Sequence, residues 1–520
     1  MGAAYAIHFL LKFGLHLAGL IELVPALNLA LALLLTWPLR GSARTAVRWL
    51  ALPLAFGLLY HESPWPPLAR VWSTFGAVTD FSVVYLLELA TRIVHAQMLA
   101  ALLVASVLLA GLATRLRLSV WVFIGLAVIA GLPSPAQLER ERDIASIATS
   151  DSSGPIALNQ LDRTLQAFFD GERAKTLKLA EDSGPPPFDL VILNVCSLSW
   201  DDLDTARLGD APLMRRLDVV FDRFNTGATY SGPAVLRLLH ANCGLVPQGE
   251  LYGGARGECL LMRGLEQAGY QPAVLLNHDG RFDGFADMLR RDSGLSIPPE
   301  QVLDAPVAMK SFDGNPIRDD AEVLTRWWRA RTDGVGNGRV ALLYNSISLH
   351  DGNRVPGIAS VSSLETYAPR ARKLFDDLER FLDLIERSGR PTVVVLAPEH
   401  GGAVRGDAQQ IAGLRELPTR ALTHVPAGLM LMNFGVARAA DAPPVHVTQN
   451  ASYQSLFAVV AALLRGGEEA TRPQRLVELG QALPPLEWVA ENAGHVYLQR
   501  GPYGYLRTPD GNWRLMSAQP

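Results

Sequence analysis

The sequence predicts a helical membrane block followed by an α/β domain with a mainly parallel sheet sandwiched by helices. Three observations predict it. Nearly everything from Ala3 to Leu132 is apolar. From Phe188 onward, short apolar runs alternate with helical patterns, as expected of a sheet covered on both faces. One run, Val393 to Ala397, stops abruptly at Pro398-Glu399-His400-Gly401-Gly402, and strand C-termini are where α/β sheets collect functional groups.

The first apolar stretch, Ala4 to Leu39, is interrupted near Glu22 and Pro25 and reads as a helical hairpin. Further spans are expected at Trp49 to Tyr60, Val94 to Ala113 and Leu118 to Leu132. Several fall short of the roughly 20 residues that cross a bilayer. Because apolar spans continue well past the first, a cleaved signal peptide is not expected. Arg40, Arg44 and Arg48 follow the second span, and Arg115 and Arg117 follow the fourth. The positive-inside rule puts both loops in the cytoplasm, so about five spans leave everything after Pro133 outside. In a Gram-negative cell that compartment is the periplasm.

Residues 134–187 read as a linker, with a polar stretch at Thr149 to Pro155, an amphipathic helix at Leu158 to Ala180, and Gly184-Pro185-Pro186-Pro187. The expected organisation is therefore a membrane block over 1–133, this linker, and an exterior domain over 188–520. Within the last, strands are expected at Asp189 to Val195, Pro272 to Leu276, Val340 to Ile347, Val393 to Ala397 and Ala427 to Met432. Helices are expected at Ala234 to His240, Ala321 to Ala330, Leu364 to Glu386 and Leu456 to Leu464. The tail, Val496 to Met516, reads as a small antiparallel appendage.

The formal net charge is −4 over 520 residues, and the basic residues form no runs. Nothing here predicts a nucleic-acid partner. The three cysteines all fall in the exterior part. Cys243 and Cys259 flank a glycine-rich loop and suit a bridge in an oxidising compartment. Cys196 is left over and, taken alone, reads as a small buried hydrophobe.

The chemistry resides at three strand or helix ends. Glu399 and His400 are carboxylate and imidazole donors suited to Zn²⁺, and the glycines after them permit a sharp turn and room for a ligand. Cys196, at the end of the strand Asp189 to Val195, offers a thiolate at the same sheet edge. Ser231, in Thr229-Tyr230-Ser231-Gly232-Pro233, reads as a helix N-cap or as a nucleophile beside anion-binding N–H groups. The two readings are compatible.

Four segments carry a more specific resemblance: Val195 to Trp200, Ala228 to Ala234, Leu349 to Asn353 and Pro398 to Gly402. In this order they resemble the BcsG-type cellulose phosphoethanolamine transferases, membrane subunits of bacterial cellulose-secretion systems. That family belongs to the phosphoethanolamine transferases of the alkaline phosphatase/sulfatase superfamily. A cysteine at the first strand end, where relatives usually place a carboxylate, points to this subgroup. The resemblance implies an alkaline phosphatase-like fold and one Zn²⁺ held by Cys196, Ser231, Glu399 and His400, with Ser231 also the nucleophile. It further implies that Tyr230 contacts the phosphoryl group or acceptor, that His350 handles protons, and that Arg415 clamps the phosphate. Cys243 and Cys259 fit a family disulfide. His278, after another strand, is a weaker candidate at the border of the site.

By the same resemblance the donor is phosphatidylethanolamine and the acceptor is nascent cellulose. The protein would sit in the inner membrane, its catalytic domain in the periplasm, alongside cellulose synthase subunits. The linker departs from the family by lacking a long Thr/Ala/Gly-rich stretch. Rival readings are transfer to another acceptor, such as lipid A or a periplasmic glycan, and a non-catalytic scaffold. Lys12, Glu22, Glu88, Arg92 and His95 lie in or beside the spans without forming an evident relay, which disfavours a transporter.

Overall fold

The computed structural model describes residues 1–38, 40–63, 81–93, 96–131, 158–179, 186–295, 298–332, 338–360, 362–407, 409–435 and 443–516. The chain forms two compact units, one of residues 1–80 with 89–155 and one of residues 81–88 with 156–520.

The first unit is helical. The expected hairpin appears as Ala3–Leu17 and Pro25–Thr36, and the next span lies within Gly41–Glu62. Ala96–Ala113 and Leu118–Gly131 match the last two spans; Val83–Ile93, a helix the pattern did not predict, is divided between the two units. Among the described residues, no single helix is long and apolar enough to cross a membrane, although the bent pair Val83–Arg92 and Gln97–Ala113 passes by length and composition. Inside this unit, buried Lys12 pairs with Glu62 and donates to Asn28 Oδ1 at 2.6 Å.

Among the described residues, the second unit is built on fourteen strands. They are β1 (Asp189–Val195), β2 (Val219–Phe224), β3 (Gln271–Leu276), β4 (Glu300–Gln301), β5 (Val307–Lys310), β6 (Pro316–Arg318) and β7 (Val340–Ser346). After them come β8 (Thr392–Leu396), β9 (Ala427–Met432), β10 (Val445–Ala451), β11 (Trp488–Asn492), β12 (His495–Arg500), β13 (Tyr503–Arg507) and β14 (Trp513–Met516). Eight of them form one sheet in the order β10-β2-β9-β8-β1-β7-β3-β4. Its neighbours pair in parallel, except that β9 runs antiparallel to both β2 and β8. The mainly parallel sheet expected from the sequence is thus a mixed sheet with one reversed strand.

Every residue of β1 is buried, because helices cover both faces, and such strands read as continuous apolar runs. Ile192, Leu343 and Val395 join one core with the helices Ser231–Leu239 and Tyr453–Gly466. Val191, Leu193 and Val394 join the opposite core with Asp320–Thr332 and Tyr367–Ser388. The tail is the antiparallel sheet β11-β12-β13-β14. It is the predicted appendage, extended by one strand at its start.

The amphipathic helix of the linker is shorter than its pattern, Leu161–Arg173, and buries Leu161, Phe168 and Phe169. It packs within the second unit, where Asp162 accepts from Trp513 Nε1 at 3.0 Å.

Candidate metal centre and nucleophile

Because β7, β1 and β8 are parallel neighbours, their C-terminal ends share one edge of the sheet. Backbone pairing continues beyond the strands. Cys196 N–H donates to Ser346 O at 3.0 Å, Glu399 N–H to Val195 O at 2.9 Å, and Leu198 N–H to His400 O at 2.7 Å. Cys196 and His400 are 204 residues apart in sequence, and these bonds fix them side by side. Ser197 turns the chain with φ +62°. That region is uncommon for a residue with a side chain and costs on the order of 1 kcal/mol, so strain sits directly beside Cys196.

Ser231 arrives from the other side of the cleft as the first residue of its helix. Tyr230, not Ser231, occupies the N-cap, and no side chain caps this helix. The N-cap reading of Ser231 therefore fails, and its hydroxyl is directed at the cluster. Ser231 Oγ lies 3.3 Å from Cys196 Sγ and 3.4 Å from His400 Nε2. Cys196 Sγ is 3.9 Å from His400 Nε2, which is 3.8 Å from Glu399 Oε2. Cys196, Glu399 and His400 are fully buried, whereas Ser231 is only half-buried and open to a substrate.

These donors fit Zn²⁺. Ligands about 2.0–2.3 Å from a tetrahedral zinc lie about 3.3–3.8 Å from one another, close to the spacings here. Ligand atoms of Cys196, Glu399 and His400 all fall within 4.8 Å of one another. Glu399 Oε2 is buried without a hydrogen-bond partner, a costly state that a cation would relieve. The other oxygen, Oε1, accepts from Asn345 Nδ2 at 2.5 Å. His400 Nδ1 donates to Gly401 O at 2.8 Å, which leaves the Nε2 lone pair facing the cluster. Burial, with the Glu399 charge adding to it, pushes the Cys196 thiol up to about 12. Burial also raises the Glu399 carboxyl, and burial with Arg415 lowers His400 far below the usual imidazole range.

The remaining predicted residues surround this cluster. Arg415 places Nη1 3.5 Å from His400 Nδ1, and its guanidinium lies 5.0 Å from the Tyr230 ring centre. Tyr230 donates to Glu416 Oε1 at 2.9 Å. Thr229 Oγ1 donates to Arg415 O at 2.8 Å, tying the loop before Ser231 to the loop carrying Arg415. His350 Nδ1 donates to Asp351 O at 2.6 Å. Burial and the Arg415 charge push His350 down to about 4, so its imidazole is neutral near neutral pH and leaves Nε2 unprotonated. Cys243 and Cys259 are joined in a disulfide.

His278 lies behind the cluster, 3.0 Å from Asn345 Oδ1. Asn345 and Asn194 adjoin the candidate ligands without having been singled out in the sequence. Asn345 Nδ2 donates to Asn194 Oδ1 at 2.7 Å as well as to Glu399, and the two asparagines are register partners on β7 and β1. A polar residue at matching depth in two apolar strands was the available signal. Gly401 also has a different role from the expected one. A Cβ there would lie 2.7 Å from Ser199 Oγ and 3.0 Å from Asp202 Oδ2. The space is filled by the Ser199–Asp202 capping box of the helix Trp200–Ala206, not by ligand.

Two family models match the chain: the cellulose biosynthesis protein BcsG N-terminal domain over residues 5–131 and the BcsG C-terminal domain over residues 146–513. The cellulose biosynthesis protein BcsG of Escherichia coli (strain K12) is 33% identical over 534 residues, 97% of this chain and 94% of that protein. BcsG of Salmonella typhimurium gives the same values. Among solved structures, the C-terminal periplasmic domain of EptC from Escherichia coli, in complex with Zn, aligns with 16% identity and TM-score 0.43, over 61% of this chain and 93% of that one. The integral membrane lipooligosaccharide phosphoethanolamine transferase A of Neisseria meningitidis aligns with 15% identity and TM-score 0.43, over 93% and 99%.

Proposed function

The chain belongs to the BcsG family of cellulose biosynthesis proteins, and on that premise we propose that it transfers phosphoethanolamine from phosphatidylethanolamine to glucose hydroxyls of nascent cellulose. One observation carries the proposal: a half-buried serine at a helix start converges on buried Cys196, Glu399 and His400, whose ligand atoms all lie within 4.8 Å of one another. Cys196, Ser231, Glu399 and His400 would hold one Zn²⁺. When bound, the metal would ease ionisation of the Ser231 hydroxyl and offset charge on the phosphoryl oxygens.

In the first half-reaction, Ser231 Oγ loses its proton and bonds to phosphorus. The bond from phosphorus to the diacylglycerol oxygen breaks, and that oxygen takes up a proton. Helix N–H groups behind Ser231 favour the anionic phosphoryl group, and Arg415 offers charge-assisted hydrogen bonds to it. In the second half-reaction, a glucose hydroxyl oxygen attacks phosphorus and the bond to Ser231 Oγ breaks. His350, neutral with an unprotonated Nε2, takes the acceptor's proton and passes it to the departing Ser231 Oγ. Tyr230, pinned by Glu416 and lying beside Arg415, lines the headgroup side.

The donor is a lipid, and the apolar unit suits an anchor near its headgroups. Large side chains there face outward, among them Leu17 at 81% and Trp49 at 70% exposure. Helices too short to cross singly would be accommodated by bilayer thinning or by pairing. This reading retains the inner-membrane placement, a periplasmic catalytic domain of alkaline phosphatase-like architecture, and association with cellulose synthase subunits.

The test is zinc content and headgroup transfer of the purified full-length protein. Roughly one equivalent of zinc is expected, with turnover abolished in Ser231→Ala and Cys196→Ala. A folded wild-type protein that binds no zinc and transfers nothing when zinc is supplied would overturn the reading.

A further inference from the structure

We propose that Tyr85 and Glu88, which lie in the N-terminal apolar part of the sequence, are positioning residues of the active site that hold the loop carrying His350. The segment Phe81–Glu88 is part of the catalytic unit, although the chain on both sides of it belongs to the helical unit. An apolar sequence context hides this, because Glu88 reads only as a charged residue beside a span.

The contacts are numerous and directional. Ser82 N–H donates to Phe312 O at 3.0 Å. The Phe81 ring meets Phe312 edge-on at 5.5 Å and stacks on Phe282 at 5.8 Å. Phe312 in turn packs against the His350 imidazole, with ring centres 4.5 Å apart. Tyr85 donates its hydroxyl to Asp351 Oδ2 at 2.9 Å, and the backbone carbonyl of Asp351 accepts the His350 Nδ1 proton. One residue therefore separates Tyr85 from the bond that fixes the His350 ring.

Glu88 closes the far end of the loop. Its buried carboxylate accepts from Ser363 N–H at 2.7 Å and from Ser362 Oγ at 2.9 Å, and it pairs with the Arg354 guanidinium. Ser363 Oγ sits between the two anchors, 3.0 Å from Glu88 Oε1 and 2.7 Å from Asp351 Oδ1, and accepts from Gly352 N–H at 2.8 Å. A buried carboxylate is tolerable only when such partners satisfy it, and every partner named here belongs to the loop 351–363.

Close packing makes the arrangement specific. Gly352 has φ +82°, and a Cβ there would lie 2.5 Å from Phe312 Cβ and 2.8 Å from the Tyr85 ring. Arg370 holds the loop from the opposite side, donating to His350 O at 3.0 Å and to Ser363 O at 3.1 Å. His350 is thus set between a buried arginine from the catalytic domain and a tyrosine–glutamate pair from the N-terminal segment. An exterior fragment beginning near residue 156 lacks that pair, so weak turnover by such a fragment would not by itself identify a scaffold.

This inference rests on the transferase reading for its kinetic consequence but not for the contact itself. The experiment uses the full-length protein and the variants Tyr85→Phe, Glu88→Gln, His350→Gln and Tyr85→Phe/His350→Gln. Zinc content, hydrogen exchange over residues 350–363, and kcat and KM for a soluble phosphoethanolamine ester are measured. Tyr85→Phe and Glu88→Gln should keep their zinc, exchange faster in the loop, and lose about ten- to a hundredfold in kcat with little change in KM. Once His350 is replaced, Tyr85→Phe should cost nothing further, because it acts through that residue. Wild-type kcat in both single variants would overturn the proposal, as would a full additional loss in the double variant. If the wild-type protein transfers no headgroup, the functional reading fails separately. Loop exchange then decides the contact: faster exchange in the variants supports it, and unchanged exchange overturns it.

Discussion

Replacing Asn345 with leucine should weaken zinc binding while leaving the fold in place. Asn345 Nδ2 is the donor to Glu399 Oε1, and Glu399 is the one carboxylate of the proposed centre. Leucine is close in size and suits an apolar strand, so the perturbation is the loss of that donor together with its bond to Asn194 Oδ1. A hydrogen bond to a charged group contributes about 1.5–3 kcal/mol, which at 1.4 kcal/mol per decade is a loss of about 10- to 150-fold in affinity. Outer hydrogen-bond partners of metal ligands typically change affinity by about 10- to 100-fold, so two independent routes agree. The same substitution strips His278 of its contact with Asn345 Oδ1, and a stability loss of about 1 kcal/mol should accompany it. The assay is zinc competition against a chromophoric chelator, with thermal unfolding as the control for folding. A folded variant that binds zinc within about twofold of wild type would refute the claim that Asn345 tunes the ligand Glu399.

Two further outcomes follow from the same geometry. Burial holds Cys196 as a neutral thiol up to about 12, and zinc takes the thiolate, so binding should expel a proton. The zinc association constant should therefore rise by about tenfold per pH unit around neutrality, whereas a constant flat with pH would exclude Cys196 as a ligand. The Cys243–Cys259 bridge spans a sequence separation of 16, a loop length for which chain entropy predicts about 3 kcal/mol of stabilisation. Replacing both cysteines with alanine should lower the denaturant-unfolding free energy of the catalytic domain by about that amount. No measurable change would show that the loop is constrained by its packing instead.

Much of the catalytic domain is legible in the sequence because its central strands are buried on both faces. Asp189–Val195 and Ala427–Met432 were read at their observed ends, and Val393 to Ala397 is displaced by one residue from Thr392–Leu396. β2 and β10 were not read. Both are only partly buried, and their mixed sequences, Val-Val-Phe-Asp-Arg-Phe and Val-His-Val-Thr-Gln-Asn-Ala, give no continuous apolar run. The reversal of β9 is a property of the sheet order, which no local pattern encodes. Cys196, Glu399 and His400 were legible as metal-binding residue types at strand ends, and the parallel register of β1 and β8 supplies the adjacency that sequence alone lacks. Ser231 was ambiguous because a serine at a helix start serves as cap or nucleophile equally well. Only the position of Tyr230 at the N-cap separates the two. Glu88 was passed over because a carboxylate beside an apolar span has no visible partner until Ser362, Ser363 and Arg354 are folded against it.

The central claim is that Ser231 carries the headgroup between donor and acceptor, and the most direct measurement is peptide mass spectrometry of the full-length protein after exposure to phosphatidylethanolamine without acceptor. The account predicts a phosphoethanolamine adduct on the peptide containing Ser231, absent in Ser231→Ala and discharged when a cellulose oligosaccharide is added. Continued headgroup transfer by Ser231→Ala, or an adduct on a different residue, would contradict it.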